Sequence, residues 1–300
     1  MFGRRWAEWG VTFPSFGWLM LFFVVPTLIV LGIAFHGASA DGGYTSGFTM
    51  ETWKAVVRTP YKEIVWRTIW ISAVTTFLCI VLSLPCAYSI ARMPTKWRAA
   101  VAGLIMLPFW TSFIVRVFAW RTLLHPEGFI QHILMALGLA NADTMLNYNS
   151  GAILVVSVYS FLPFAIMPIY TAAEKFDFSL LEAARDLGAR NFYAFRKIFI
   201  PGIKQGVMSA ILMVFIPAVG SYVIPQMLGG TNCVLIGNKI FMRAIQNRNI
   251  PHASALATLM AVSVLVPIAF AMWWKSRQSA RDRKRLEAQT AKLILSGVGR

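Results

Sequence analysis

Carboxylates are scarce in this 300-residue chain: 12 Asp and Glu stand against 28 Lys and Arg, for a formal charge of +16. None of the acids falls inside a long apolar run. With no membrane-embedded acid to couple an ion gradient and no inverted repeat, an ion-coupled secondary transporter stands as a second alternative. Cysteine is also sparse. Cys79 and Cys86 lie seven apart and Cys233 is distant, with no CxxC pair, so packing roles are expected. His36, His125, His132 and His252 are scattered and no H-E-x-x-H occurs, so no metal site is expected. A G-x-x-x-x-G-K-[ST] phosphate loop is missing, which removes this chain as an ATPase of that type. A membrane-embedded transferase or protease would need a polar cluster within the apolar runs. None is present, and no catalytic residue is expected.

What the chain has in abundance is apolar sequence, 57% of its residues, with a mean hydropathy of +0.62. Crossing a ~30 Å hydrocarbon core takes about 20 apolar residues. Six runs meet that length, at about 13–35, 64–90, 99–120, 151–173, 203–224 and 253–274. The pattern predicts an all-α membrane protein with six transmembrane helices. The first run follows Arg4 and Arg5 and precedes Ala38-Ser39-Ala40, as in a signal peptide, but it is too long for a signal's apolar region and is read as a retained span.

Basic residues orient these spans. With 1–12 cytoplasmic, and with Arg67 and Lys204 at the ends of their runs counted with the adjoining flanks, 19 Lys and Arg fall on the predicted cytoplasmic side, 8 on the outer side, and Arg116 deeper within a span. The positive-inside rule expects this asymmetry and predicts both termini in the cytoplasm. The charge is therefore a topology signal rather than a nucleic-acid footprint, since no basic helix stands apart from a membrane flank. The basic tail, 275–300, is expected to meet anionic membrane lipid.

The same orientation places 174–202 in the cytoplasm as the loop before the fifth span. From Glu182 to Gly206 it reads EAARDLGARNFYAFRKIFIPGIKQG. Glu182 and Asp186 share one helix face, with Ala183, Ala184 and Leu187 packing near them. Gly188 supplies the left-handed residue that ends a helix. A second helix follows from Asn191 to Ile200, and Pro201 with Gly202 is expected to break it.

Glu182-Ala183-Ala184, then Gly188, Ile198 and Pro201 in one register, resemble the EAA loop of the permease subunits of bacterial ABC importers. The resemblance implies the type I permease fold, with a short coupling helix seated in a cleft of an ATP-binding subunit. Glu182 would meet a basic residue of that ATPase, Gly188 would allow the turn, and ATP and Mg would be held by the ATPase rather than by this chain. Implied partners are a second, homologous permease forming a heterodimer, an ATP-binding cassette ATPase dimer and an extracytoplasmic substrate-binding protein. The localisation implied is the bacterial inner membrane, multi-pass.

Leu107 to Trp120, Phe215 to Gly220, Val223 to Pro225 and Leu228 to Gly230 look like the polyamine branch of that family, closest to the putrescine and spermidine permeases. Asn247-Arg248 with Pro251 and Ala253 to Ala255 is similar too. On physical grounds Pro217, Gly220 and Pro225 interrupt the fifth span, and broken membrane helices persist where they face protein or water. They line a translocation path or form a packing kink, with Ser221 and Tyr222 as the polar candidates. Trp110 and Ser112 are candidates before the charged Arg116, which gates the outer mouth or snorkels to the interface. The polyamine permeases usually carry acids where this chain has Ser221 and Gln226. That departure keeps an anionic or zwitterionic cargo open: an opine, an amino-acid derivative or a phosphonate. Arg116 does not discriminate.

Overall fold

In hydrocarbon every backbone N–H and C=O has to be satisfied within the segment, so uninterrupted apolar runs become long helices. The computed structural model describes residues 12–39, 42–59, 61–138, 141, 145–230 and 233–266, together with 269, 273 and 277. The expected N-terminal segment and basic tail therefore lie almost wholly outside the described residues, as does part of 253–274. Three described helices are long and apolar enough to cross a membrane: α1 (Thr12–Ile33), α3 (Tyr61–Ala91) and α7 (Ser150–Glu174). Two bent pairs pass the same test together, and α13 (Ile250–Val266) is a shorter apolar helix.

Between α1 and α3 the polar stretch folds into a small hairpin. Strands β1 (His36–Ala38) and β2 (Tyr44–Phe48) pair antiparallel, with His36 opposite Phe48. The amphipathic helix α2 (Glu51–Arg58) follows, and Thr52 Oγ1 ties it back by donating to the His36 carbonyl at 2.7 Å. Its buried face joins Ala34, Tyr61, Ala255 and Leu256 in a small apolar cluster.

The expected third span bends. Helix α4 (Thr95–Trp110) and helix α5 (Phe113–Leu123) meet at 84°. The last turn of α4 is tight, and Thr111 Oγ1 donates to the Pro108 carbonyl at 2.7 Å. After the short α6 (Phe129–Ala136), helix α7 starts at an Asn149 cap whose side-chain oxygen accepts the Ala152 N–H at 2.8 Å. Pro163 and Pro168 lie inside α7 without ending it.

The bundle core is α3, α7 and α10 (Lys204–Gly220), which pack on one another most extensively. Ile153, Val156, Ile169, Phe199 and Val214 are buried there. Close approach is obligatory at Gly206, where an added Cβ would lie 2.5 Å from the Ala172 Cβ and 2.6 Å from the Pro168 carbonyl oxygen. Small residues allow membrane helices this proximity, and the contact locks the start of α10 onto α7. Cys79 is buried in this core, its thiol 3.7 Å from the Val158 carbonyl, whereas Cys86 is exposed on the bundle surface.

The fifth run differs from expectation in where it breaks. Pro217 sits inside α10, which continues to Gly220; the chain leaves helical geometry only at Ser221 and Tyr222 before α11 (Val223–Leu228). A proline costs one hydrogen bond but keeps helical φ, so it bends a packed helix without ending it. Helix α12 (Ile236–Phe241) continues as a π turn, Met242–Gln246, before α13.

Candidate functional site

On the loop after α7, helix α8 (Ser179–Asp186) begins beneath Asp177, whose Oδ1 accepts the Ser179 N–H at 3.0 Å. Hydrogen bonds from the Ser179 side chain and backbone hold the Asp177 carboxyl below its ordinary range. It stays ionised at neutral pH, where its charge suits the positive end of α8. The contribution is present above the ordinary carboxylate pKa and is lost as pH falls through the depressed one.

Helix α8 presents two faces. Leu181 is buried and Ala184 half-buried, while Glu182, Ala183 and Asp186 are exposed. Gly188 adopts φ +86°, donating to the Arg185 carbonyl at 2.8 Å, and Ala189 reaches back to the Ala184 carbonyl at 2.9 Å. Those two bonds make the Schellman closure, which satisfies the orphan carbonyls of the helix end. The turn leaves Leu187 90% exposed. A groove of about 530 Å³ opens between α8 and the next helix, lined by Ala184, Leu187, Gly188, Tyr193 and Ile198 among others.

That next helix, α9 (Asn191–Gly202), runs through Pro201 and Gly202 rather than stopping at them, and bends 74° into α10 at Ile203. The sequence signal placed the break too early. A π turn, Phe195–Phe199, closes with the Ile200 N–H on the Phe195 carbonyl and carries the chain into Pro201, which lacks a donor. Pro201 is exposed near the C-terminal end of α9.

Beneath the groove lies an aromatic cluster. Phe199 is fully buried, with Tyr88 of α3 at 5.1 Å edge-on and Phe176 and Phe195 each at 5.2 Å between ring centroids. Tyr88 also meets Phe178 at 5.9 Å, just ahead of α8. Arg92 donates to the Tyr88 hydroxyl at 2.8 Å. A Cβ on Gly202 would run into the Phe176 ring, so glycine lets the end of α9 pass the segment that follows α7. None of these aromatics stood out in the sequence.

The second set of candidates lies around the α4–α5 elbow and the α10–α11 break. These are neighbours, because α11 packs on α5. Trp110 is 86% exposed and Ser112 is exposed. Arg116 folds back over the elbow, its guanidinium 5.0 Å from the Phe109 ring and 5.8 Å from Phe113, with Nε buried and unpartnered. Of the break residues, Pro217 and Gly220 are exposed, Ser221 half-buried, Tyr222 exposed and Pro225 buried. Gln226 bonds to Asn238, whose amide nitrogen donates to Gln226 Oε1 at 2.7 Å. Asn238 and Phe241, both absent from the sequence-derived set, form the wall facing Tyr222.

The segment 247–255 packs against the hairpin and the start of α3: Gly43 donates to the Arg248 carbonyl at 3.4 Å, and Tyr61 Oη lies 2.9 Å from His252 Nε2.

Residues 1–284 match the family described as the binding-protein-dependent transport system inner membrane component. Among curated relatives, the spermidine/putrescine transport system permease protein PotB of Haemophilus influenzae is 30% identical over 272 residues, 91% of this chain and 94% of that protein. PotB of Escherichia coli is 30% identical over 90% of this chain and 98% of its own length. The inner membrane ABC transporter permease protein YdcU of Escherichia coli is 29% identical over 85% of this chain. Among solved structures, a chain of a bacterial ABC transporter involved in the import of the acidic polysaccharide alginate superposes with TM-score 0.69 at 18% identity, covering 92% of this chain. A second alginate transporter structure, in complex with an alginate pentasaccharide-bound periplasmic protein, gives TM-score 0.67.

Proposed function

The chain belongs to the binding-protein-dependent transport system inner membrane components, multi-pass proteins that are parts of transporters rather than enzymes, and from that premise we propose that it is a permease subunit of an ATP-driven polyamine importer. In this reading it crosses the membrane six times with both termini in the cytoplasm, and forms half of a translocation path with a second, homologous permease. A separate ATP-binding cassette dimer carries ATP and Mg, and an extracytoplasmic binding protein delivers the cargo.

One observation carries the coupling part of the reading. The Schellman closure at Gly188 presents Glu182, Ala183, Asp186 and Leu187 outward on a rigid turn, over a groove lined by Ala184 and Ile198. Such a knob suits a cleft in a partner, and the aromatic cluster beneath ties it to α3 and to the segment that follows α7. Closure of the ATPase would then move α8, and the permeases would alternate between outward and inward access.

The polyamine assignment is supported by the extent of similarity to the PotB proteins across the chain. Ser221 and Gln226, in place of the acids expected for a cationic cargo, favour a second reading in which an anion or zwitterion is carried. Calorimetric titration of the cognate binding protein separates the two. Saturable binding of spermidine or putrescine is expected; selective binding of an acid, with none of either amine, overturns the polyamine assignment.

A further inference from the structure

Between α10 and α11 the backbone leaves helical geometry for two residues, Ser221 at φ −66° and ψ 129° and Tyr222 at φ −120° and ψ −29°. The 17-residue α10 ends there, so its last carbonyls lack intrahelical donors and carry about half a negative charge between them. Among the described residues, the Ala218 carbonyl is closed by the Ser221 N–H at 3.3 Å. Helix α12 lies against this end so closely that a Cβ on Gly237 would sit 2.8 Å from the Ser221 carbonyl oxygen.

The residue after that glycine is Asn238, 3% exposed. Its Nδ2 donates to Gln226 Oε1 at 2.7 Å and to the Tyr222 carbonyl at 3.4 Å, while its Oδ1 is buried with no partner. The amide orientation is decided chemically, since turning it over would oppose two oxygens, Asn238 Oδ1 and the Tyr222 carbonyl. Buried acceptors are nearly always satisfied, so an orphan next to a helix break marks a place for a donor. One turn on, Phe241 stacks on Tyr222, ring centroids 5.2 Å apart and planes 15° from parallel. Tyr222 keeps 43% of its surface exposed, so one ring face is covered and the side chain still reaches open space.

Helix-end carbonyls, an unmet amide oxygen and an aromatic face share one preference, for a cation that donates hydrogen bonds. The basic residues that follow on this element do not contradict it. Arg243 donates to the Tyr61 hydroxyl at 3.4 Å, and Lys239 is turned about 100° around the helix from Asn238. We propose that this break is the cation-recognition site of the translocation path, holding an alkylammonium group of a linear polyamine on Asn238 Oδ1 and the terminal carbonyls of α10, against the ring of Tyr222. Neutral oxygens replace the missing carboxylates. They bind a cation less tightly, which suits a site from which the cargo has to leave again.

The inference rests on the polyamine reading, and uptake of labelled spermidine by the fully assembled transporter in proteoliposomes tests both separately. Co-purification of all subunits verifies assembly of each variant. Asn238→Leu and Tyr222→Ala are expected to raise the KM for spermidine about tenfold each, Tyr222→Phe to restore most of the affinity, and Asn238→Asp to lower KM together with the maximal rate. Because Tyr222 is partly exposed, its truncation does not depend on the bundle refolding around a cavity. Spermidine uptake with an unchanged KM in both Asn238→Leu and Tyr222→Ala overturns the site and leaves the polyamine reading standing. Failure of the wild type to carry any polyamine overturns both.

Discussion

At Gly188 a single backbone angle, φ +86°, decides whether the exposed turn exists. A β-branched side chain there meets the following carbonyl, at a cost of about 1–2 kcal/mol, whereas Asn tolerates the left-handed region. Gly188→Val is expected to weaken association of the ATPase with reconstituted permease about tenfold or more, measured by titration, and Gly188→Asn to retain most of it. Equal affinities would remove the turn from the docking account. This residue was readable in the sequence because its requirement belongs to the residue itself, a glycine placed just past an amphipathic helix. Asn238 was not. Its partners, Gln226 and Tyr222, come to it across a break and a loop, and no local pattern announces an orphaned amide oxygen.

Among elements, the loop helices α8 and α9 matter through what they rest on. Tyr88 belongs to α3, Phe178 precedes α8, and Phe195 and Phe199 belong to α9; Tyr88 meets all three at 5.1–5.9 Å. Each edge-to-face pair contributes about 0.5–1.5 kcal/mol, so Tyr88→Ala loosens the loop from α3 by a few kcal/mol. The expected result is partial uncoupling: ATP hydrolysis continues while the number of spermidine molecules carried per ATP falls. An unchanged ratio would reduce the cluster to packing. Elements were legible where composition alone decides them, as in α3 and α7, which the apolar runs anticipate closely. They were less legible where packing redirects the chain. The 84° elbow at Thr111 and Ser112 and the 74° bend at Ile203 sit within or beside runs that hydropathy reads as straight. Pro217 misled because a proline held between neighbouring helices can stay helical, and the break fell instead after Gly220.

At the scale of the whole molecule, large apolar faces stand uncovered among the described residues. Helix α1 buries none of its most apolar window against the rest of the chain, and Trp110, Phe118 and Ile114 stand exposed along the elbow. Lipid or a second permease would cover them. The turn at Glu182 and the α10–α11 break lie at opposite ends of one connected path, through α9, the bend at Ile203 and the α7–α10 contact at Gly206. Force applied at the turn has a continuous packed route to the break.

Transport by the reconstituted assembly with Glu182→Lys tests that coupling most directly. Glu182 is exposed and its replacement leaves the core untouched, so the complex should still form in the membrane. ATP-dependent spermidine uptake by the wild type and its near-complete loss in Glu182→Lys are expected. Uptake and coupled ATP hydrolysis that survive the charge reversal intact would contradict the role of the turn.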